Sequence, residues 1–207
     1  VISQYISGFG VTIYTLLLSK ESRFSQKNVD KKIIGEVTNF SFLTCLQQSV
    51  MNLGILMVQT RVNTFGPVVM AAFSTGVKID AFAYMPLQDY GNAFSTFTAQ
   101  NFGAGKEERI KRGMKIAFIT SLLFSIMISL IVFIASPSLM KIFVGESERE
   151  IIDIGTGYLR IEGAFYALIG FLFLFYGLFR AIGKPGMSFV LTIISLGTRV
   201  LLSYTIS

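Results

Sequence analysis

The sequence contains no histidine, no tryptophan, a single cysteine and four prolines in 207 residues, and charged residues are scarce. Each scarcity removes a class of chemistry. Without histidine there is no imidazole proton relay, and the commonest metal ligand is gone. With Cys45 alone, no internal disulfide can form and no cysteine-based metal site can be built. The one glycine-lysine pair that invites a phosphate-loop reading, Gly105-Lys106, is followed by Glu107 rather than Ser or Thr, and Gln100 stands where the first glycine belongs. ATP-driven machinery is therefore missing, and no nucleophile elbow, histidine site or paired-cysteine site argues for an enzyme.

What the sequence has is hydrophobic length. Mean hydropathy is positive, Phe outnumbers every charged type, and Gly is frequent. Frequent Gly suits close approach of helices in lipid, and the grouping of apolar residues into long blocks does not describe a soluble domain. The blocks run Val1–Leu18, Phe40–Val62, Val68–Gln100, Met114–Ala135, Ile154–Phe179 and Met187–Ile206. A bilayer crossing takes about 20 residues, so each block is expected to cross once, about six spans in all. Tight connections are expected at Asn63–Pro67, Gly103–Gly105 and Gly183–Gly186. Ser136-Pro137 and Gly145–Glu148 are expected to bracket a short interfacial amphipathic piece. Pro86 is a candidate kink.

Charge placement orders the spans. The connection after the first block carries Lys20, Arg23, Lys27, Lys31 and Lys32. The one after the third carries Lys106, Arg109, Lys111, Arg112 and Lys115, and the one after the fifth carries Arg180 and Lys184. The alternate connections are poorer in Lys and Arg or are offset by acids, as the positive-inside rule requires of strictly alternating crossings. The basic balance thus needs no nucleic-acid partner. No basic leader precedes Val1, which lies inside an apolar block, and we read the chain as incomplete.

The third block is the most informative. Steps of four from Asp80 meet Tyr84, Gln88, Asn92, Thr96 and Gln100, a polar row on one slowly winding helix face. An ionised group at bilayer depth costs about 2.5–3.5 kcal/mol on insertion scales. Such a row belongs against a water-filled or protein-lined cavity, which points to transport.

The chain resembles the MATE (multidrug and toxic compound extrusion) family, in its DinF-like bacterial branch. The resemblance is carried by Ala71-Ala72-Phe73, Lys78-Ile79-Asp80, Pro86-Leu87 and Ser95–Gly105. A second patch combines Tyr158-Leu159-Arg160-Ile161 with Gly177–Pro185. It implies an all-α polytopic bundle that covers part of a protein built of two six-helix lobes. Residues 1–18 would end the last span of the first lobe. Residues 19–39 would form the cytoplasmic inter-lobe connection. Residues 40–207 would form the second lobe, with its final span and most of the first lobe missing. The implied activity is export of small cationic or amphiphilic compounds, coupled to inward flow of sodium ions or protons, from a bacterial inner or plasma membrane. No other cofactor is implied. One branch of the family carries acids on the seventh and tenth spans. Here the seventh has Gln47 and Gln48 instead, and the tenth-span position is Ile169, so that ion site does not carry over.

The candidate groups follow from the residues. Asp80 would bind a coupling or substrate cation, or meet a partner on a neighbouring helix. Asp89, beyond Pro86, is the first choice for a cavity carboxylate and for a sodium ion held with a freed carbonyl. Glu162 is either a deep proton-linked acid or an interfacial one, and Tyr166, one turn on, would share its face and donate to it. Gln48, Asn52, Gln59 and Asn63 form a polar stripe that lines the cavity or bonds helix to helix. Tyr84, Gln88 and Asn92 complete the candidate lining. Two alternatives stay open: a lipid-linked precursor flippase, whose only candidate cations are Lys78, Arg160 and Arg199, and a non-transporting fragment.

Overall fold

A computed structural model describes residues 2–18 and 31–205. The chain divides into two compact units, Val1–Ser41 and Phe42–Ser207. All its regular elements among the described residues are helical. They are α1 (Ile2–Leu18), α2 (Lys31–Val62), a short 3-10 turn (Asn63–Phe65), α3 (Pro67–Gly103), α4 (Glu107–Val144), α5 (Arg149–Ala164), α6 (Tyr166–Ala181) and α7 (Pro185–Thr205). Lys20, Arg23 and Lys27, expected in the inter-lobe connection, lie outside the described residues. From Lys31 onward that stretch is already helical.

The helix ends follow local chemistry. Gly66, at φ 99°, takes a left-handed turn that a side chain would resist, and Pro67 then opens α3 at a position where its missing N–H costs nothing. Gly183, at φ 73°, does the same between α6 and α7. The expected connections at Asn63–Pro67, Gly103–Gly105 and Gly183–Gly186 are all present. α4 begins with Glu107 and Glu108, acids that suit the positive end of a helix.

Three expectations change. Among the described residues, four helices are long and apolar enough to cross a bilayer, namely α2 with its 3-10 turn, α3, α4 and α7. α5 and α6 make a fifth as a broken span, bent by 52°. α1, expected as the end of a span, has 17 described residues, so four or five full-length candidates stand among the described residues where about six spans were expected. The fourth block does not stop before Ser136-Pro137, because α4 continues through both to Val144. Pro137 removes the amide that would have bonded Phe133 O. That carbonyl instead accepts from Ser136 Oγ at 3.3 Å and from Arg160 Nε of α5 at 3.4 Å. With the freed acceptor satisfied, a proline is tolerated inside a bilayer helix. Finally, the fifth block is not one straight span but turns at Phe165.

The second unit is a bundle centred on α3, α4, α5 and α6. Its core includes Ile79, Leu87, Val132, Met140, Leu159 and Phe173. Glycines set the helix spacing. A Cβ on Gly177 would lie 2.5 Å from Gly91 O, and one on Gly91 would lie 2.8 Å from Phe173 O, so α3 and α6 meet backbone to backbone. This is the small-residue contact by which helices associate in lipid, where apolar area gains nothing from leaving water.

Candidate functional site

The break between α5 and α6 organises the polar interior. Gly163 O and Tyr166 O lie either side of Phe165, where the helical ladder is interrupted. Ser129 Oγ of α4 donates to the first and Ser125 Oγ to the second, the latter at 3.4 Å. The bend is thus held by serines one turn apart on another helix. It swings Tyr166 away from its own helical neighbour Glu162. Tyr166 Oη donates to Asp80 Oδ1 of α3 at 2.6 Å, and both residues are buried.

Glu162 sits on the other side of the break. It accepts from Arg199 Nη2 of α7 at 3.1 Å and from Tyr158 Oη, one turn earlier on α5, at 3.3 Å. Arg199 and Glu162 form an ion pair with the cation half-exposed and the acid mostly covered. Both groups also act electrostatically on Asp80. The Tyr158 ring packs edge-on against Phe73 at 5.3 Å and covers Gly76, where a Cβ would come within 2.6 Å of it. Asp80, Tyr158, Glu162, Tyr166 and Arg199 therefore form one polar cluster, contributed by α3, α5, α6 and α7.

Of the expected site residues, the fold brings Asp80, Glu162 and Tyr166 into this cluster. The expected Tyr166–Glu162 bond is replaced by Tyr166–Asp80 and Tyr158–Glu162, because the bend at Phe165 ends the shared helix face. The row from Asp80 drifts as it goes. Four residues exceed one helical turn by about 40°, so Asp80 is buried, Tyr84 and Gln88 are half-buried, and Asn92 is exposed. Tyr84 stacks on Phe173, with ring centroids 6.4 Å apart. Asn92 accepts from Arg180 Nη2 at 3.1 Å. Asp89 is exposed, outside the cluster. On α2, Gln48, Asn52 and Asn63 are exposed and Gln59 is half-buried. The amide that bridges helices is Gln47, whose Nε2 donates to Thr192 Oγ1 of α7 at 3.0 Å.

Sequence reasoning passed over Tyr158 and did not assign Arg199 to Glu162. Tyr158 had a signal, since it stands four residues before Glu162 on a helix. Arg199 was conspicuous as a charge inside an apolar block, but its partner lies 37 residues away in sequence.

Long apolar helices, a broken span and a carboxylate cluster enclosed by four helices define a polytopic helical membrane protein. The MatE family model matches residues 41–205, and the chain belongs to that family. It is 24% identical over 200 residues to the probable multidrug resistance protein NorM of Thermotoga maritima, covering 96% of this chain and 42% of the relative. It is 27% identical over 150 residues to the probable multidrug resistance protein YpnP of Bacillus subtilis, covering 72% of this chain and 33% of the relative. Among solved structures, it superposes on a MOP superfamily transporter from Pyrococcus furiosus with a TM-score of 0.87 at 17% identity. That match takes in 99% of this chain and 47% of the other. The binding pocket of that transporter is described as having reversed polarity, suggesting a different function. The chain thus spans less than half the length of each of these relatives.

Proposed function

We propose that this chain is the second lobe of a secondary exporter of small cationic or amphiphilic compounds in a bacterial cell membrane, and that Asp80 is its ion-coupling group. The observation that carries this reading is the uneven pairing of the two acids. Glu162 has Arg199 as its ion partner, whereas Asp80 is held by a neutral phenol. A carboxylate enclosed in an apolar bundle with no bonded cation needs a proton or a sodium ion to balance it. Binding and release of that ion would change the net charge of the cluster by one.

The broken span supplies the mechanical side. Discontinuous helices next to ion sites recur in secondary transporters that alternate their access by moving one repeat against another. Here the break touches the acid directly, since Tyr166 opens α6 and bonds Asp80. Loss of that bond on ion binding would free α6 to change its angle to α5. The family match and the relatives named for multidrug resistance support export. The flippase alternative is weakened because two of its three candidate cations are engaged: Arg199 with Glu162, and Arg160 with Phe133, whose ring lies 5.0 Å below the guanidinium.

The test is transport of a fluorescent organic cation in proteoliposomes, against a sodium or a proton gradient, with the first lobe present. Asp80→Asn is expected to abolish gradient-driven movement, while Asp89→Asn keeps it. Wild-type coupling in the Asp80 variant, or its loss only in the Asp89 variant, would overturn the assignment.

A further inference from the structure

We infer that the groove between α2 and α7 is a binding site for one acyl chain of an anionic phospholipid, with Arg61 holding the phosphate. The groove is open on one side, has a volume of about 650 Å³ and is lined by apolar side chains, among them Val50, Leu53 and Met57 of α2 and Leu196, Val200 and Leu201 of α7. Along α7 it runs from Ile193 to Thr205, which at about 1.5 Å per residue is about 18 Å. One leaflet of hydrocarbon is about 15 Å deep, half of a bilayer core, so the groove takes one chain lying along the membrane normal.

Its end is chemically distinct. Tyr204 lines the groove, and the Arg61 guanidinium lies 5.9 Å from the Tyr204 ring and 5.4 Å from the Phe65 ring. The two rings fix the guanidinium where α2 gives way to the 3-10 turn, at headgroup depth for a helix that spans. Arg61 Nε is buried and has no hydrogen-bond partner, and no acid pairs with Arg61 among the described residues. An unpaired arginine framed by aromatics at the mouth of an apolar slot is complementary to a phosphodiester. The cation selects an anionic headgroup over a zwitterionic one, and the slot selects a lipid over free phosphate.

The experiment uses the protein with its first lobe, in bilayers containing phosphatidylglycerol that bears a photoreactive acyl chain. After irradiation, peptides are mapped by mass spectrometry. Labelling is expected on Val50–Met57 and Ile193–Leu201, and it should fall about fivefold in Arg61→Gln or when a phosphatidylcholine probe replaces the anionic one. Leu53→Trp should remove the labelling with Arg61 intact, which separates filling of the groove from loss of charge. Equal labelling by both headgroups would overturn the proposal as mere acyl contact. Absence of label in a folded wild-type protein would overturn it too, showing the groove filled by another helix. Neither result bears on Asp80.

Discussion

Where α3 meets α6, Gly91 and Gly177 bring two backbones together and Tyr166 reaches across to Asp80. Where α2 runs beside α7, only Gln47 and Gly54 of α2 and Pro185, Ser188 and Thr192 of α7 are buried, and much of the remainder opens into an apolar groove. Both pairs are apolar, so hydrophobicity does not separate them. In lipid the difference comes from small residues and hydrogen bonds, which the first pair has along its length. The second has the Gln47–Thr192 bond near one end, Gly54 against Leu196, and a 3.5 Å bond from Tyr204 Oη to Met57 O at the other end. The closed seam is suited to hold a charged cluster in register. The open one is suited to receive something else.

Glycine substitutions break this comparison most directly. Gly177→Ala would press a methyl group onto the Gly91 carbonyl, with backbone on both sides and no flexible side chain to yield. A loss of about 1–3 kcal/mol is expected in unfolding from mixed micelles, more for Gly177→Val. The counterpart on the open side is Gly197, where nothing lies within 4 Å of an added Cβ. Gly197→Ala should be neutral or gain up to about 1 kcal/mol from helix propensity. Equal effects at the two glycines would remove the distinction between the seams.

Next in size is the bond that crosses the closed seam. Tyr166→Phe keeps the ring in the core but leaves Asp80 without its 2.6 Å donor. A loss of about 1–3 kcal/mol is expected. Adding Asp80→Leu to it should recover much of the loss, because removing both partners leaves no orphaned group. In transport, Tyr166→Phe should retain gradient coupling with a shifted pH profile, whereas Asp80→Asn abolishes coupling. If both variants lose coupling alike, the ion needs the phenol as well as the acid.

The serines that hold the bend come third. Ser129→Ala would remove the interhelical donor to Gly163 O, and Ser125→Ala would do the same for Tyr166 O. About 0.6 kcal/mol each is expected, with an upper range near 1.7, the scale of interhelical hydrogen bonds in bilayers. A double variant that leaves both stability and coupling unmoved would show that the break needs no support from α4.

The ends of most helices were legible because Gly and Pro mark them locally. Gly66-Pro67, Gly103–Gly105 and Gly183–Pro185 each carry their own stop or start. The break at Phe165 was not legible. Gly163-Ala164-Phe165-Tyr166 contains no proline, and the groups that stabilise it sit on α4, some 34 to 41 residues away. Pro137 misled in the other direction, because the donors that rescue Phe133 O are Ser136 beside it and Arg160 on α5. The cluster was half legible for the same reason. Asp80, Glu162 and Tyr166 stood out as polar groups in apolar blocks, but which donor served which acid depended on the bend. On α2 the stripe at Gln48, Asn52, Gln59 and Asn63 was read from spacing alone, whereas contact with α7 selected its neighbour Gln47.

That neighbouring pair gives the smallest and sharpest test. Gln47 Nε2 donates to Thr192 Oγ1, which itself donates to Ser188 O at 3.0 Å, and Ser188 Oγ donates to Tyr176 O of α6 at 3.2 Å. This chain ties α2 and α7 to the closed part of the bundle at one end. Gln47→Leu keeps the volume and removes the donor, so a loss of about 0.6 kcal/mol is expected. Gln48→Leu, one residue on and exposed, should leave stability within about 0.5 kcal/mol of wild type. Its effect on transport then decides what the stripe is for. If Gln48→Leu slows export of the organic cation while unfolding is unchanged, the stripe faces substrate. If neither quantity moves, α2 contributes to this lobe through Gln47 and the groove alone.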